Sequence, residues 1–217
     1  MKLSDIFEAK VYKGDPLETG GTSIQGQASP AVRALFKNET IKPGTKVIDY
    51  GAGKYGRNAN FLRENGVEVY GFDPYNGTDS DGWSGVSKMP PTGQKFDLAM
   101  SVFVLNVVPE HTEDDIIAKM RRLAPHQIHI TRNLDIFESV KKALKRQDKT
   151  VGGFFVEEFA DEEQKQRYEA GELTDQDIME FVHHGAQTSR GFQRIPTLDQ
   201  KGFRLLRKTS GFKVFEK

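Results

Sequence analysis

Cysteine is absent from the 217-residue chain, which excludes disulfides, thiolate metal sites and a cysteine nucleophile. Net charge is absent too: 31 Lys and Arg balance 31 Asp and Glu. No overall field therefore draws the chain to nucleic acid, although a local basic patch is still allowed. No segment approaches the roughly 18 apolar residues that a membrane span needs, and the start, MKLSDIFEAKVYKGD, lacks the apolar core of a secretory signal. Repeats and low-complexity tracts are lacking as well. These absences lead to the expectation of a soluble, cytoplasmic protein with no membrane partner.

What the chain does have is alternation between apolar runs of strand length and stretches of helical period, the pattern of a parallel sheet with crossover helices. Strands are expected at KVIDY (46–50), VEVYGF (67–72), FDLAMSVFVL (96–105) and QIHIT (127–131). A short helix should follow Gly56, carry Ala59, Phe61 and Leu62, and stop at Gly66. A clearer one runs through TEDDIIAKMRRLAP. There Thr112 is placed to cap, Asp114 and Asp115 suit the first turn, and Ile116, Ile117, Met120, Leu123 and Ala124 share a face; Arg121 and Arg122 suit the last turn, and Pro125 ends it. Upstream, Ser29 and Pro30 read as the cap and first position of a helix.

Segment 77–95 is too rich in Gly, Ser and Pro for a helix. A polar helix is expected over 133–149, with Lys141, Lys145 and Lys149 on one face as either a solvated face or a phosphate contact. Residues 156–182 are acidic and helical in propensity. RGFQRIPTL and FRLLRKTSGFKVFEK are β-rich and follow one another without a helix, so the sheet should finish with an antiparallel C-terminal hairpin. The expectation is one domain over 1–217: an N-terminal segment and helix (1–45), a cofactor-binding core (46–135), an inserted helical cap (150–195) and C-terminal strands (191–217).

The chemistry concentrates in VIDYGAGKYG (47–56), which holds G-x-G-x-x-G as Gly51, Gly53 and Gly56. The first glycine allows a tight turn off the strand, the second allows close backbone approach to a ligand, and the next helix offers unpaired N–H groups to a phosphate or a carboxylate. Asp73, 17 residues beyond Gly56 at the end of the second strand, is placed to accept hydrogen bonds from an adenosine ribose. A dinucleotide and S-adenosylmethionine share both features. Asp49 separates them: a carboxylate at the strand tip repels a pyrophosphate by about a kcal/mol or more, yet pairs well with the α-ammonium of S-adenosylmethionine.

VIDYGAGKYGRNANFLRENGVEVYGFDPYN and FDLAMSVFVLNVVPE together resemble motifs I, II and IV of class I S-adenosylmethionine-dependent methyltransferases. More closely, the chain is similar to a bacterial and phage group that includes methyltransferases associated with DNA phosphorothioation, with D-Y-G-x-G, a D-P after strand two and V-L/I-N-V at the end of strand four. ASPAVRALF resembles the helix that this group carries before motif I.

The resemblance covers residues 22–135 and implies a Rossmann-like fold with a mostly parallel central sheet and helices on both faces. It implies S-adenosylmethionine as co-substrate, with Asp49, Gly51 and Gly53 on the methionine portion and Asp73 on the ribose. Tyr50 and Ala52 would lend backbone contacts, Phe72 and Pro74 would flank the nucleoside, and Asn106 would lie near the methyl group. Asn106 reads equally well as a turn residue closing its strand. LNVVPE departs from the D/N/S-P-P-Y/F/W motif of enzymes that methylate amino groups of DNA.

Methyl transfer from a sulfonium needs alignment above all, and a base only where the nucleophile must first lose a proton. No catalytic residue is assigned. His111, just beyond strand four, and His183 and His184 in the inserted region are candidates for a base or an acceptor-orienting group, with His111 and Asn106 placed in the substrate pocket; no set of ligands lines up for a metal. Tyr75 and Trp83 are candidates for stacking on adenine or substrate. The basic 141–149 face and the family resemblance favour nucleic acid as acceptor, whereas neutral charge and the acidic insertion favour a small molecule or protein. Two other functions fit part of the pattern: a donor-binding adaptor without transfer activity, and a nicotinamide-dependent oxidoreductase supported by the glycine spacing alone.

Overall fold

The computed structural model describes residues 26–75, 88–145, 160–188 and 191–217. Its elements, in chain order, are α1 (Pro30–Lys37), β1 (Lys46–Tyr50), α2 (Arg57–Glu64), β2 (Glu68–Phe72), β3 (Leu98–Val102), α3 (Glu110–Leu123), β4 (His126–Arg132), α4 (Leu134–Lys145), α5 (Glu162–Ala170), α6 (Asp175–His184), β5 (Ala186–Thr188), β6 (Gly191–Gln193), β7 (Arg204–Lys208) and β8 (Phe212–Glu216). Six strands form one sheet in the order β2-β1-β3-β4-β8-β7. The first four are mutually parallel, and β8 and β7 close the sheet as an antiparallel hairpin.

Alternate faces of the strands feed two cores. Val47, Met100, Val102, Ile128, Ile130 and Val214 pack with α1 and α2 on one side. Ile48, Tyr50, Ala99, Leu198, Phe203 and Phe215 pack with Ile116, Ile117 and Met120 of α3 on the other. Every residue of β3 is buried, as a parallel strand covered on both faces requires. Chain order reverses between β1 and β3, so the carboxyl ends of these strands define the crevice where open α/β sheets bind ligands.

Local chemistry sets most element ends. Ser29 caps α1 through Oγ, which accepts from the Ala31 N–H, and Pro30 takes the first turn. In α3 the helix starts earlier than its sequence indicates: Pro109 is the cap residue and Thr112 lies inside the first turn, with Glu110 and Glu113 supplying its acidic charge. Proline's fixed φ suits the entry, so no hydroxyl cap is needed. The run 96–105 is a strand only as far as Val102, because Phe103 adopts a left-handed φ of 60° and turns the chain.

The second half is helical where its sequence indicates and departs from expectation in its contacts. Residues 162–184 form two helices, joined through Gly171 in the left-handed region and each begun by a capping box, Asp161 with Gln164 and Thr174 with Asp177. Several of their carboxylates are paired: Arg167 pairs with Glu163 and Asp177, and Lys141 of α4 pairs with Asp175 at 2.7 Å. That last bond removes Lys141 from the open basic face expected on α4, which instead buries Ile136, Phe137 and Val140 against Ile178, Val182 and Ile195. Lys149 lies outside the described residues. Residues 191–193 join β5 in a separate two-stranded ribbon, while Ser210 and Gly211 turn the hairpin of the main sheet. No helix among the described residues is long and apolar enough to cross a membrane.

Candidate functional site

At the end of β1 the chain makes a loop with Gly51 at φ 84°, Gly53 at φ 72° and Gly56 at φ 51°. The Gly51 and Ala52 N–H groups both donate to the Phe72 carbonyl, at 2.7 and 3.0 Å, stitching the loop to the end of β2. Gly51 is required twice over, since a Cβ there would stand 2.3 Å from Cγ2 of Val104 in the loop after β3. Helix α2 then begins at Gly56 without a side-chain cap or an acidic residue in its first turn. Arg57 at its first position adds positive charge to the positive end of the helix dipole, leaving a local demand for an anion.

Two carboxylates border this loop. Asp73 accepts from Gly53 N–H at 2.8 Å through Oδ2 and from Tyr75 N–H at 3.0 Å through Oδ1, so it braces the glycine loop. Asp49 is fully buried on β1, and neither of its oxygens has a hydrogen-bond partner among the described residues. Burial, reinforced by the charge of Asp73 and opposed by Arg63, pushes its carboxyl up to about 7. An unpaired buried acceptor is destabilising, so the folded chain holds a site that a hydrogen-bonding cation would satisfy.

The acidity of Asp49 has a counterpart in the core. His129 is buried between Ser101 Oγ, 2.8 Å from Nδ1, and Gln127 Oε1, 3.0 Å from Nε2, and burial pulls its imidazole down to about 3. A lowered histidine contributes stability that is present above its unfolded pKa near 6.5 and is lost as pH falls toward 3; a raised aspartate contributes stability that is lost as pH rises from about 4 to 7. Between about pH 4 and 6.5 the two slopes oppose. Asp49→Asn removes one of them, so urea unfolding should show the variant gaining about 1.4 kcal/mol per pH unit relative to wild type across that window. Equal pH slopes for the two proteins would contradict the assignment.

The remaining expected site residues spread out. Tyr50 and Phe72 are buried and meet edge to face at 4.9 Å, so their rings belong to the core beneath the loop; burial pushes the Tyr50 phenol up to about 12. Ala52 is buried in the loop, whereas Pro74 and Tyr75 are exposed beyond β2, and Trp83 lies outside the described residues. His111 is exposed on the first turn of α3. His183 Nδ1 lies 2.8 Å from the Ile195 carbonyl in a structural contact.

Asn106 is fully buried just after β3. Its Nδ2 donates to the Arg194 carbonyl at 2.6 Å, its Oδ1 accepts from Arg132 N–H at 2.7 Å, and its own carbonyl accepts from Arg194 N–H at 2.7 Å. It therefore ties the loop after β3 to the end of β4 and to the segment behind α6. Sequence reading passes over Arg194 itself, whose guanidinium is 2% exposed, contacts Glu113 Oε2 at 2.5 Å and donates to the His183 carbonyl at 3.1 Å. Lys201 stands 2.8 Å from the other oxygen of Glu113, out of hydrogen-bond alignment. One signal was available: Glu113 sits three and four positions before Ile116 and Ile117, on the apolar face of α3.

No family model matches the chain, and no curated protein matches it. Among solved structures, the 1,6-didemethyltoxoflavin-N1-methyltransferase of Burkholderia thailandensis, with 1,6-didemethyltoxoflavin and S-adenosylhomocysteine bound, matches 98% of this chain and 84% of its own, with 12% identity and a TM-score of 0.50. Magnesium protoporphyrin IX methyltransferase from Synechocystis PCC 6803, with bound S-adenosylhomocysteine, matches over 90% of both chains at 17% identity and a TM-score of 0.46. A Rhodobacter sphaeroides protein provisionally described as a Zn-dependent alcohol dehydrogenase matches over 95% of this chain and 97% of its own, at 13% identity and 0.48. The first match bears on fold and, at 12% identity, on nothing finer. Strand order, helices on both faces and the antiparallel hairpin together define the Rossmann-like class I methyltransferase fold.

Proposed function

We propose that this chain binds S-adenosylmethionine at the carboxyl ends of β1 and β2 and transfers its methyl group to an acceptor. The observation that carries the reading is the buried Asp49 carboxylate, which has no hydrogen-bond partner among the described residues and stands on the strand that leads through the glycine loop to an uncapped helix N-terminus. A receptor for a cation next to a receptor for an anion fits the α-ammonium and α-carboxylate of a methionine moiety. It does not fit a pyrophosphate, which would meet Asp49 as a like charge. Asp49, Gly51 and Gly53 would hold the methionine portion, with backbone contacts from Tyr50 and Ala52. Asp73 would hold the ribose, with Phe72 and Pro74 near the nucleoside.

Bound S-adenosylmethionine would supply an electrophilic methyl: the acceptor would bond to the methyl carbon in line as the carbon–sulfur bond breaks, with S-adenosylhomocysteine as the leaving group. The protein supplies alignment: Val104 closes on Gly51, and Asn106 fixes the loop after β3 so that it faces the donor loop. Asn106 would act by positioning that loop, and His111 would border the acceptor's entry. The finer resemblance, to the bacterial and phage phosphorothioation-associated group, rests on D-Y-G-A-G, D-P, L-N-V and the ASPAVRALF helix.

The test is to incubate the protein and labelled donor with separated DNA, RNA, protein and metabolite fractions of cells. Label should enter one fraction, and its entry should fall with Asp73→Ala, which should weaken donor binding at least tenfold, about 1.4 kcal/mol. Donor binding with label in no fraction would replace the enzyme reading with that of a donor-binding adaptor.

A further inference from the structure

A second polar group stands at the same edge of the sheet, on strands that the donor loop does not touch. Register places Thr131 of β4 opposite Lys213 of β8, and Lys213 opposite Lys208 of β7. Directly opposed residues share a face, so a threonine and two lysines stand in one cross-strand row near the carboxyl end of β4.

Each member of the row is unfavourable in the fold as it stands. Thr131 is fully buried, and its Oγ1 has no hydrogen-bond partner among the described residues. Lysines directly opposite repel. Burial and the charge of Lys208 pull the Lys213 ammonium below its ordinary value, with Asp199 the acidic group opposing them. Lys208, on the sheet's edge, has an ordinary explanation, because charged side chains protect exposed strand edges from pairing. Lys213 does not share it, since β8 is flanked by β4 and β7. One ligand would satisfy all three groups together: an oxyanion accepting from the hydroxyl and both ammonium groups.

We propose that Thr131, Lys213 and Lys208 form an oxyanion subsite that takes a carboxylate or phosphate group of the acceptor. The anion site stands by itself; its assignment to the acceptor rests on the methyltransferase reading. β8 lies three strand steps from β1, or about 14 Å at ordinary strand spacing. The acceptor is then a small acidic molecule whose charged end sits on the order of 10 to 15 Å from the donor loop.

The test is thermal melting of wild type, Thr131→Val and Lys213→Met, each in chloride, acetate or inorganic phosphate at constant ionic strength and pH 7.5. In chloride both variants should melt above wild type, because each removes an unsatisfied or repelled group. Acetate or phosphate should raise the wild-type midpoint by several degrees and leave both variants unmoved. The anion giving the larger shift distinguishes a carboxylate from a phosphate ligand. Variants that melt below wild type, variants that respond as wild type does, or a wild type indifferent to both anions would overturn the proposal. Calorimetric titration with S-adenosylmethionine on the same samples reports on the donor site alone, so the two readings fail separately.

Discussion

Affinity for S-adenosylmethionine should fall about tenfold for each pH unit below 7, reaching about a hundredfold loss, near 2.7 kcal/mol, at pH 5. The reason lies in Asp49, whose carboxyl burial raises to about 7 in the ligand-free protein. Only the ionised form pairs with an ammonium group, so below that value binding must first expel a proton. Asp73 raises the affinity of Asp49 for that proton and Arg63 lowers it, both lying within electrostatic reach. Asp49→Asn should bind more weakly at pH 8 and lose the slope between pH 5 and 7. Titration calorimetry across that range reads both quantities. A pH-independent wild type, or an Asn variant that keeps the slope, would remove Asp49 from the donor site.

Arg194→Met should destabilise the fold by about 3 to 5 kcal/mol, the usual consequence of stripping one partner from a buried ion pair. Glu113 would keep Lys201 at 2.8 Å but lose the buried guanidinium that now faces its other oxygen. Removing both charges, in Glu113→Gln with Arg194→Met, should recover part of the loss, because no ion is then left buried alone. Urea denaturation of the two single variants and the double variant measures the coupling. Donor affinity at pH 8 should change less than twofold in Arg194→Met, since Arg194 bonds to the loop after β3 and to α6 and not to the glycine loop. A double variant as unstable as the sum of the singles would mean that the pair does not act as a unit.

These two results differ in how far the sequence foretells them. The glycine loop is legible because its determinants are local: a strand tip, residues that need positive φ and the start of a helix all fall within VIDYGAGKYG. Asp49 stands out on the same basis, since a carboxylate in an apolar strand conflicts with its surroundings unless it has a partner. The hairpin at the end is equally local.

Contacts between distant residues are not written that way. Glu113 and Arg194 are separated by 81 positions, and Asn106 reaches Arg194 across 88. Nothing in either neighbourhood names the other. Phe103 interrupts an apolar run that reads as one strand through Leu105, because the left-handed turn follows from how the chain after β3 packs, not from its own propensity. Lys141 matches a basic helix face in sequence and is an ion-pair partner of Asp175 in the fold. Asp73 shows both levels at once: its place after β2 is plain in GFDPYN, while its bond to Gly53 N–H becomes visible only when β1 and β2 pair.

The most direct test is a calorimetric titration of wild type and Asp49→Ala with S-adenosylmethionine at pH 7.5, with NADH as the competing ligand. The expected result is saturable binding of one S-adenosylmethionine by wild type, at least tenfold weaker binding by the variant, about 1.4 kcal/mol, and no saturable heat with NADH. Equal affinity in both proteins, or NADH binding in place of the methyl donor, would contradict the account.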